Sequence, residues 1–187
     1  MSRILILYAS HFGRTCAIAE QLAQRLRELE HWVDLVEAGD GAVVPPADYD
    51  AVIIGSRVEL GRFSSAIVDY IREHRVTLME MPTAFFSVSM AGSDQPQGRG
   101  CDPNGYNVTL FEKLAWTPTE SAGFAGGLPY RRYNWFLRQI MKRISKSAGH
   151  TTDTTRDHVF TDDAAVAAFA NQLATSLAFD ASASRAP

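Results

Sequence analysis

The chain has 187 residues, of which 46% are hydrophobic and 21% charged, the balance of a single soluble domain long enough to bury a sizeable core. A formal net charge of −3 excludes bulk attraction to nucleic acid, and two cysteines, Cys16 and Cys101, exclude a disulfide scaffold or a cysteine-built zinc site and fit a reducing compartment. The apolar run in "MSRILILYAS" is too short for a signal peptide and no stretch approaches the roughly 20 apolar residues that span a bilayer, so the expected location is cytoplasmic.

In chain order, Arg3 to Ala9 reads as a buried strand, and Thr15 to Leu29 as a helix with Ile18, Ala19, Leu22, Ala23, Leu26 and Leu29 on one face. His31 to Glu37 is a half-alternating strand, broken off by Gly39, Gly41 and the Pro45-Pro46 pair. Tyr49 to Ser56 and Thr83 to Ser89 are further buried strands, with a helix over Ser64 to His74 between them. A Gly-, Pro- and polar-rich stretch, "MAGSDQPQGRGCDPNG", follows as a long loop, which in a small domain is usually functional. Asn107 to Trp116 reads as a helix, Glu120 to Gly126 as a strand, and Tyr133 to Ser145 and Ala164 to Leu177 as helices. The domain is expected over 1–178, with a disordered tail over 179–187. Buried strands alternating with amphipathic helices imply a doubly wound α/β fold: a five-stranded parallel sheet, order 2-1-3-4-5, with helices on both faces. Such sheets bind ligands at the carboxyl ends of their strands.

The segment "YASHFGRT", Tyr8 to Thr15, joins the first strand to the first helix. Ser10 and Thr15 supply hydroxyls, Gly13 lets the backbone come close to a ligand, and the first amides of the helix point at an anion. His11, Phe12 and Arg14 complete the loop. It lacks the G-K-[ST] of a nucleoside-triphosphate loop and the G-x-G-x-x-G of a dinucleotide fold. A plain helix cap is the alternative reading. A second loop follows "AVIIG" (Ser56, Arg57, Val58, Glu59, Leu60, Gly61, then Arg62 and Phe63) and a third follows "AFFSVS" (Met90, Ala91, Gly92 and onward), with Ser87, Val88 and Ser89 of the strand end counted among the candidate binding residues. Three such loops on one sheet edge suit a flat ring attached to a phosphate.

On these residues the chain resembles the flavodoxin-like family, whose phosphate loop follows T/S-x-T-G-x-T. "SHFGRT" fits it, with Phe12 at the middle hydroxyl position. The segments "YDAVIIGSRVELGRFSSAI", "AGGLPYRRYNW", "IMKRIS" and "TDTTRDHVFTD" are similar to one branch of that family, the quinone-dependent protoporphyrinogen oxidases of bacterial haem synthesis. The resemblance implies FMN as cofactor, held by the three loops. It implies protoporphyrinogen IX as substrate, menaquinone or ubiquinone as acceptor, and no acid or base assigned to catalysis. It also implies an aromatic residue where Leu60 stands.

"YRRYNWFLRQIMKRISK", Tyr130 to Lys146, carries Arg131, Arg132, Arg138, Lys142, Arg143 and Lys146 and no acid. Read as a helix it is basic, aromatic and amphipathic, the pattern of a peripheral contact with the inner face of an anionic membrane, or of a domain helix with a solvated basic face. His11, His31, His74, His150 and His158 form no metal-binding spacing. Cys16 reads as a small packed residue, and Asp153, Thr155 and Arg156 as a capping turn. Two rivals share the fold: a soluble flavodoxin-type electron carrier, usually far more acidic, and an NAD(P)H:quinone reductase. A third is a flavin-free binding module.

Overall fold

The computed structural model describes residues 1–39, 44–90, 95–128 and 158–183. The expected helix over 133–145, the basic segment 130–146, His150, Asp153, Thr155, Arg156, Ala91 and Gly92 lie outside the described residues. In chain order the elements are β1 (Arg3–Ala9), α1 (Arg14–Glu28), β2 (Trp32–Glu37), β3 (Ala51–Glu59), β4 (Arg62–Phe63), α2 (Ser65–Glu73), α3 (Arg75–Met79), β5 (Thr83–Ser89), β6 (Gly98–Arg99), α4 (Tyr106–Leu114), β7 (Glu120–Ala125), β8 (Gly127–Leu128), β9 (His158–Val159) and α5 (Asp163–Ala183), with 3-10 turns at Pro46–Asp48 and Pro103–Gly105.

The parallel strands run in the order β2-β1-β3-β5-β7, the order expected from sequence. The sheet is larger than the five strands expected, because two short strands join it antiparallel: β6 outside β7, and β4 folded back on β3. β6 lies inside the stretch read as one long loop. β4 corrects the second loop. β3 continues three residues past the expected end at Ser56, and Leu60 and Gly61 turn the chain with φ of 49° and 73°. Positive φ at both central residues matches the right-handed twist of a two-residue hairpin, and a leucine there carries about 1–2 kcal/mol of backbone strain. The last helix is longer than the expected span of Ala164 to Leu177. α5 runs through Ala183, past position 178, since "AFDASA" contains no glycine or proline to stop a helix.

Each face of the sheet has its own core. Ile18, Leu22 and Leu26 of α1, with Val166, Phe169 and Leu173 of α5, cover Ile4, Ile6, Tyr8, Ile53, Phe86 and Phe124. The opposite face, with Leu5, Leu7, Val52, Ile54 and Phe85, is covered by Ile67 and Ile71 of α2, Leu78 of α3, Leu110 and Phe111 of α4, and Trp116. Phe85 meets Phe63, Phe111 and Trp116 edge-on at 5.7, 5.4 and 6.3 Å, the preferred aromatic geometry. Across the first face, one register row reads Tyr8, Gly55, Phe86, Ala122. The Phe86 ring occupies the space a side chain at Gly55 would need.

All five long strands point their carboxyl ends the same way, so the segments after β1, β3, β5 and β7 share one edge. At its β7 end, Gln97 ties three segments together. Its Nε2 donates to the Phe160 carbonyl (2.8 Å), and its Oε1 accepts from the amides of Ala125 (3.0 Å) and Asp162 (3.1 Å). The Thr161 hydroxyl donates to the Ala125 carbonyl (2.7 Å) and the Phe160 amide to Gly126 (3.1 Å). Next to this clasp β8 pairs with β9, Gly127 opposite Val159 and Leu128 opposite His158.

Candidate functional site

The loop after β1 is shaped by one hydrogen bond and one glycine. Ser10 Oγ accepts from the Gly13 amide at 3.1 Å, and Gly13 takes φ 90°, where a side chain would be strained. Gly13 is the N-cap of α1, and no side chain caps the helix. The Ala17 amide bonds the Gly13 carbonyl (2.9 Å), the first regular helical bond. The amides of Arg14, Thr15 and Cys16 precede it and point out of the helix start. No acid lies in the first turn, so the positive end of the helix dipole is uncompensated there. Arg14 Nε is buried without a hydrogen-bond partner. A buried donor left unsatisfied costs about 1–3 kcal/mol unless something else accepts from it. Loop and helix start, with their free amides, form a cradle for an anion, and Arg14 is the first residue of that helix.

The expected site residues fall into three groups. His11, Arg57 and Glu59 are brought together: Glu59 Oε1 lies 3.0 Å from His11 Nδ1 and Glu59 Oε2 3.3 Å from Arg57 Nε. This chain links the loop after β1 to the hairpin, 48 positions apart in sequence. His11 is an exposed loop histidine that pairs with Glu59, and its ring also stacks on Phe12 at 4.1 Å. A second group is turned inward. Val58 is buried opposite Phe63, and Val88 is buried in the α1 face of the core. Ser56 Oγ is used within the hairpin, accepting from the Ser64 amide (3.2 Å) and donating to the Arg57 carbonyl (3.0 Å). Ser87 and Ser89 are buried, and the Ser89 carbonyl accepts from Gly126 (2.9 Å). The cause is that β3 and β5 lie inside the sheet with a core on each face, so both sets of alternating residues are covered at their carboxyl ends. In the third group, Leu60 is fully exposed at the hairpin tip and Gly61 lies beside Tyr106.

Between the hairpin and the start of α2 lies an open groove of about 550 Å³, walled by Arg57, Glu59, Leu60, Arg62, Phe63 and Ser64. Arg62 stood in the second loop by sequence but carried no role there; nothing in a linear reading marks which loop arginine lacks a partner.

Cys16 sits in the first turn of α1, half-buried, with Sγ 3.3 Å from the Tyr8 hydroxyl and 3.7 Å from Glu20 Oε1. Burial, reinforced by the Cys16 contact, pushes the Tyr8 phenol above its ordinary range. Among the described residues no three His, Cys, Asp or Glu side chains are grouped to hold a metal, and no helix is long and apolar enough to cross a membrane.

Comparison with known proteins places this edge in a family. The flavodoxin domain matches residues 5–155. A protoporphyrinogen IX dehydrogenase (quinone) of Leishmania major is 35% identical over 173 residues, 92% of this chain and 74% of the relative. The Escherichia coli K12 protein of the same name is 34% identical over 172 residues, 92% of this chain and 94% of the relative. Among solved structures, oxidised flavodoxin 2 from Bacillus cereus superposes with a TM-score of 0.57 over 95% of this chain and 99% of its own, at 18% identity. An archaeal flavodoxin gives 0.56 over 94% and 99%, at 12% identity. These structural likenesses are of fold, and the sequence matches carry the relationship: the chain belongs to the flavodoxin domain family, in the group of the quinone-dependent protoporphyrinogen IX dehydrogenases.

Proposed function

We propose that this chain binds FMN at the start of α1 and oxidises protoporphyrinogen IX to protoporphyrin IX, with menaquinone or ubiquinone as electron acceptor, as a step of haem biosynthesis. The observation that carries the reading is the α1 start, where the helix is uncapped, Gly13 stands at positive φ and the first helical residue, Arg14, has an unpartnered Nε. A phosphate monoester fits these donors. Ser10 accepts from Gly13 and keeps its own hydroxyl hydrogen to donate. Thr15 and the amides that follow Gly13 line the same turn. When bound, the flavin supplies two-electron transfer between the macrocycle and the quinone. The protein's part is positioning: Glu59 holds His11 and Arg57, and so keeps the hairpin against the phosphate loop. The names of the relatives support the substrate and the acceptor. The basic segment from Tyr130 to Lys146 is the part of the sequence suited to meet an anionic membrane surface, where a lipid-borne quinone resides.

The test uses purified protein, FMN, protoporphyrinogen IX and a soluble quinone without oxygen, read by protoporphyrin fluorescence. Emission is expected to rise above a protein-free control only when FMN and quinone are both present. Silence from protein shown to hold FMN refutes the oxidase reading and leaves the carrier and the reductase, which NADPH oxidation separates.

A further inference from the structure

Glu59 and Arg62 face one another across the hairpin, in direct register. Opposite charges so placed ordinarily pair with each other. Here both Glu59 oxygens are engaged elsewhere, one by His11 Nδ1 at 3.0 Å and the other by Arg57 Nε at 3.3 Å. Arg62 is exposed and, among the described residues, its side chain makes neither an ion pair nor a hydrogen bond. The groove beside it therefore contains two arginines against one carboxylate.

The shape of the groove agrees with its charge. Its volume of about 550 Å³ lies within the roughly 300–1,000 Å³ of small-molecule sites. Leu60 and Phe63 give it apolar walls, and Ser64 and Ser65 close it at the start of α2. An apolar body with an anionic side arm is what such a lining accommodates: the body lies on Leu60 and Phe63, and the arm reaches a planar guanidinium that can bind both oxygens of a carboxylate.

We propose that Arg62 is a specificity-determining residue that pairs with a carboxylate of an acidic, amphipathic substrate lying in the hairpin groove. This rests on the oxidation proposed above and deepens it, since protoporphyrinogen IX carries propionate arms on an apolar macrocycle. In this arrangement Glu59 has a second effect: by engaging His11 and Arg57 it leaves Arg62 uncompensated.

The experiment compares the FMN-loaded full chain with Arg62→Ala and Arg62→Lys. Binding of protoporphyrin IX and of its dimethyl ester is read by porphyrin fluorescence, and KM is measured for protoporphyrinogen IX. FMN content and melting temperature report folding. The wild type is expected to bind the acid about tenfold more tightly than the ester, the scale of one charge-assisted hydrogen bond in a partly exposed site. Arg62→Ala should bring the acid down to the affinity of the ester and raise KM by a similar factor, and Arg62→Lys should keep part of the preference. An unchanged acid-to-ester ratio in Arg62→Ala, with wild-type turnover intact, overturns this assignment alone. A wild type that holds FMN but turns over no porphyrinogen overturns the substrate reading, and this assignment with it.

Discussion

Replacing Gly55 by alanine tests how closely the sheet is packed beneath the candidate site. A Cβ at position 55 would lie 2.2 Å from Phe86 Cζ and 2.5 and 2.8 Å from its Cε atoms. Carbon atoms rest at about 3.5–4.0 Å, so the ring would have to move by more than about 1 Å. Phe86 is fully buried, and Phe124 stands edge-on to it at 6.3 Å. A phenyl ring held this way cannot swing aside as an exposed chain end would. Overpacking of well-filled cores costs typically about 1–3 kcal/mol, and a clash with three ring atoms belongs at the upper end, about 3 kcal/mol. At about 2–4 °C per kcal/mol for a chain of this size, Gly55→Ala should melt about 6–12 °C below the wild type. Urea unfolding and thermal melting of the FMN-free protein measure it. Phe86→Leu removes the obstructing atoms, so the double variant should be more stable than the sum of the singles by about 1–2 kcal/mol. A Gly55→Ala variant within about 0.5 kcal/mol of wild type, or two substitutions that simply add, would refute the packing argument.

Arg14→Ala should weaken FMN binding about tenfold, the scale of one charge-assisted hydrogen bond, while the FMN-free protein melts no lower because a buried unpartnered donor has been removed; calorimetric titration together with melting shows whether the two effects separate, and unchanged FMN affinity removes Arg14 from the cradle. The buried Tyr70 donates its hydroxyl to the Val44 carbonyl at 3.0 Å, and burial pushes its phenol above the ordinary range. The unfolded phenol ionises first, so this contribution to stability is full below about pH 10 and is lost as pH rises beyond it, by up to about 1.4 kcal/mol per pH unit. Tyr70→Phe should cost about 1 kcal/mol at neutral pH and flatten the alkaline slope of urea stability, with Tyr8 still contributing its own share. Arg99 holds the buried Glu120 through two bonds, 2.5 and 2.7 Å; Arg99→Ala should cost about 2 kcal/mol by leaving that carboxylate unpaired, and adding Glu120→Gln should restore about half, as chemical denaturation will show.

The parts of the fold that were legible in the sequence are those fixed by burial. Apolar runs such as "ILILY" and "TAFFSVS" become the central parallel strands because both their faces are covered. The helix stripe of Ile18, Leu22 and Leu26 lies against the sheet for the same reason. The hairpin was not legible. Glu59 and Arg62 are polar, so β4 has no alternating signature, and Leu60-Gly61 is not one of the Asn-Gly or Asp-Gly pairs that announce such a turn. α3 escaped notice because five residues are too few for a helical period. At the site, Ser10 and Gly13 could be read from local chemistry, since one loop contains both. The link from His11 to Glu59 could not, because it exists only once β1 and β3 lie side by side. Asp102 shows the same limit from another direction: inside a stretch read as loop, its carboxylate accepts from the Asn107 and Val108 amides at 2.8 and 2.9 Å and starts α4.

The β8–β9 pair and the Gln97 clasp give the chain a neck. Positions 128 and 158 stand opposite each other, so the two ends of the stretch between them meet at one point of the sheet edge. Those ends are held by contacts that belong to the rest of the domain, and the entropy of closing the stretch grows slowly, by only about 0.6 kcal/mol for each doubling of length. A short glycine-serine bridge from 130 to 156 should therefore leave the sheet and the α1 start unchanged, and with them FMN binding. The neck also opens beside Ala125 and Gly126, on the edge that carries the anion cradle. The pairing therefore holds both ends of the stretch on that edge without using any residue of the loop after β1.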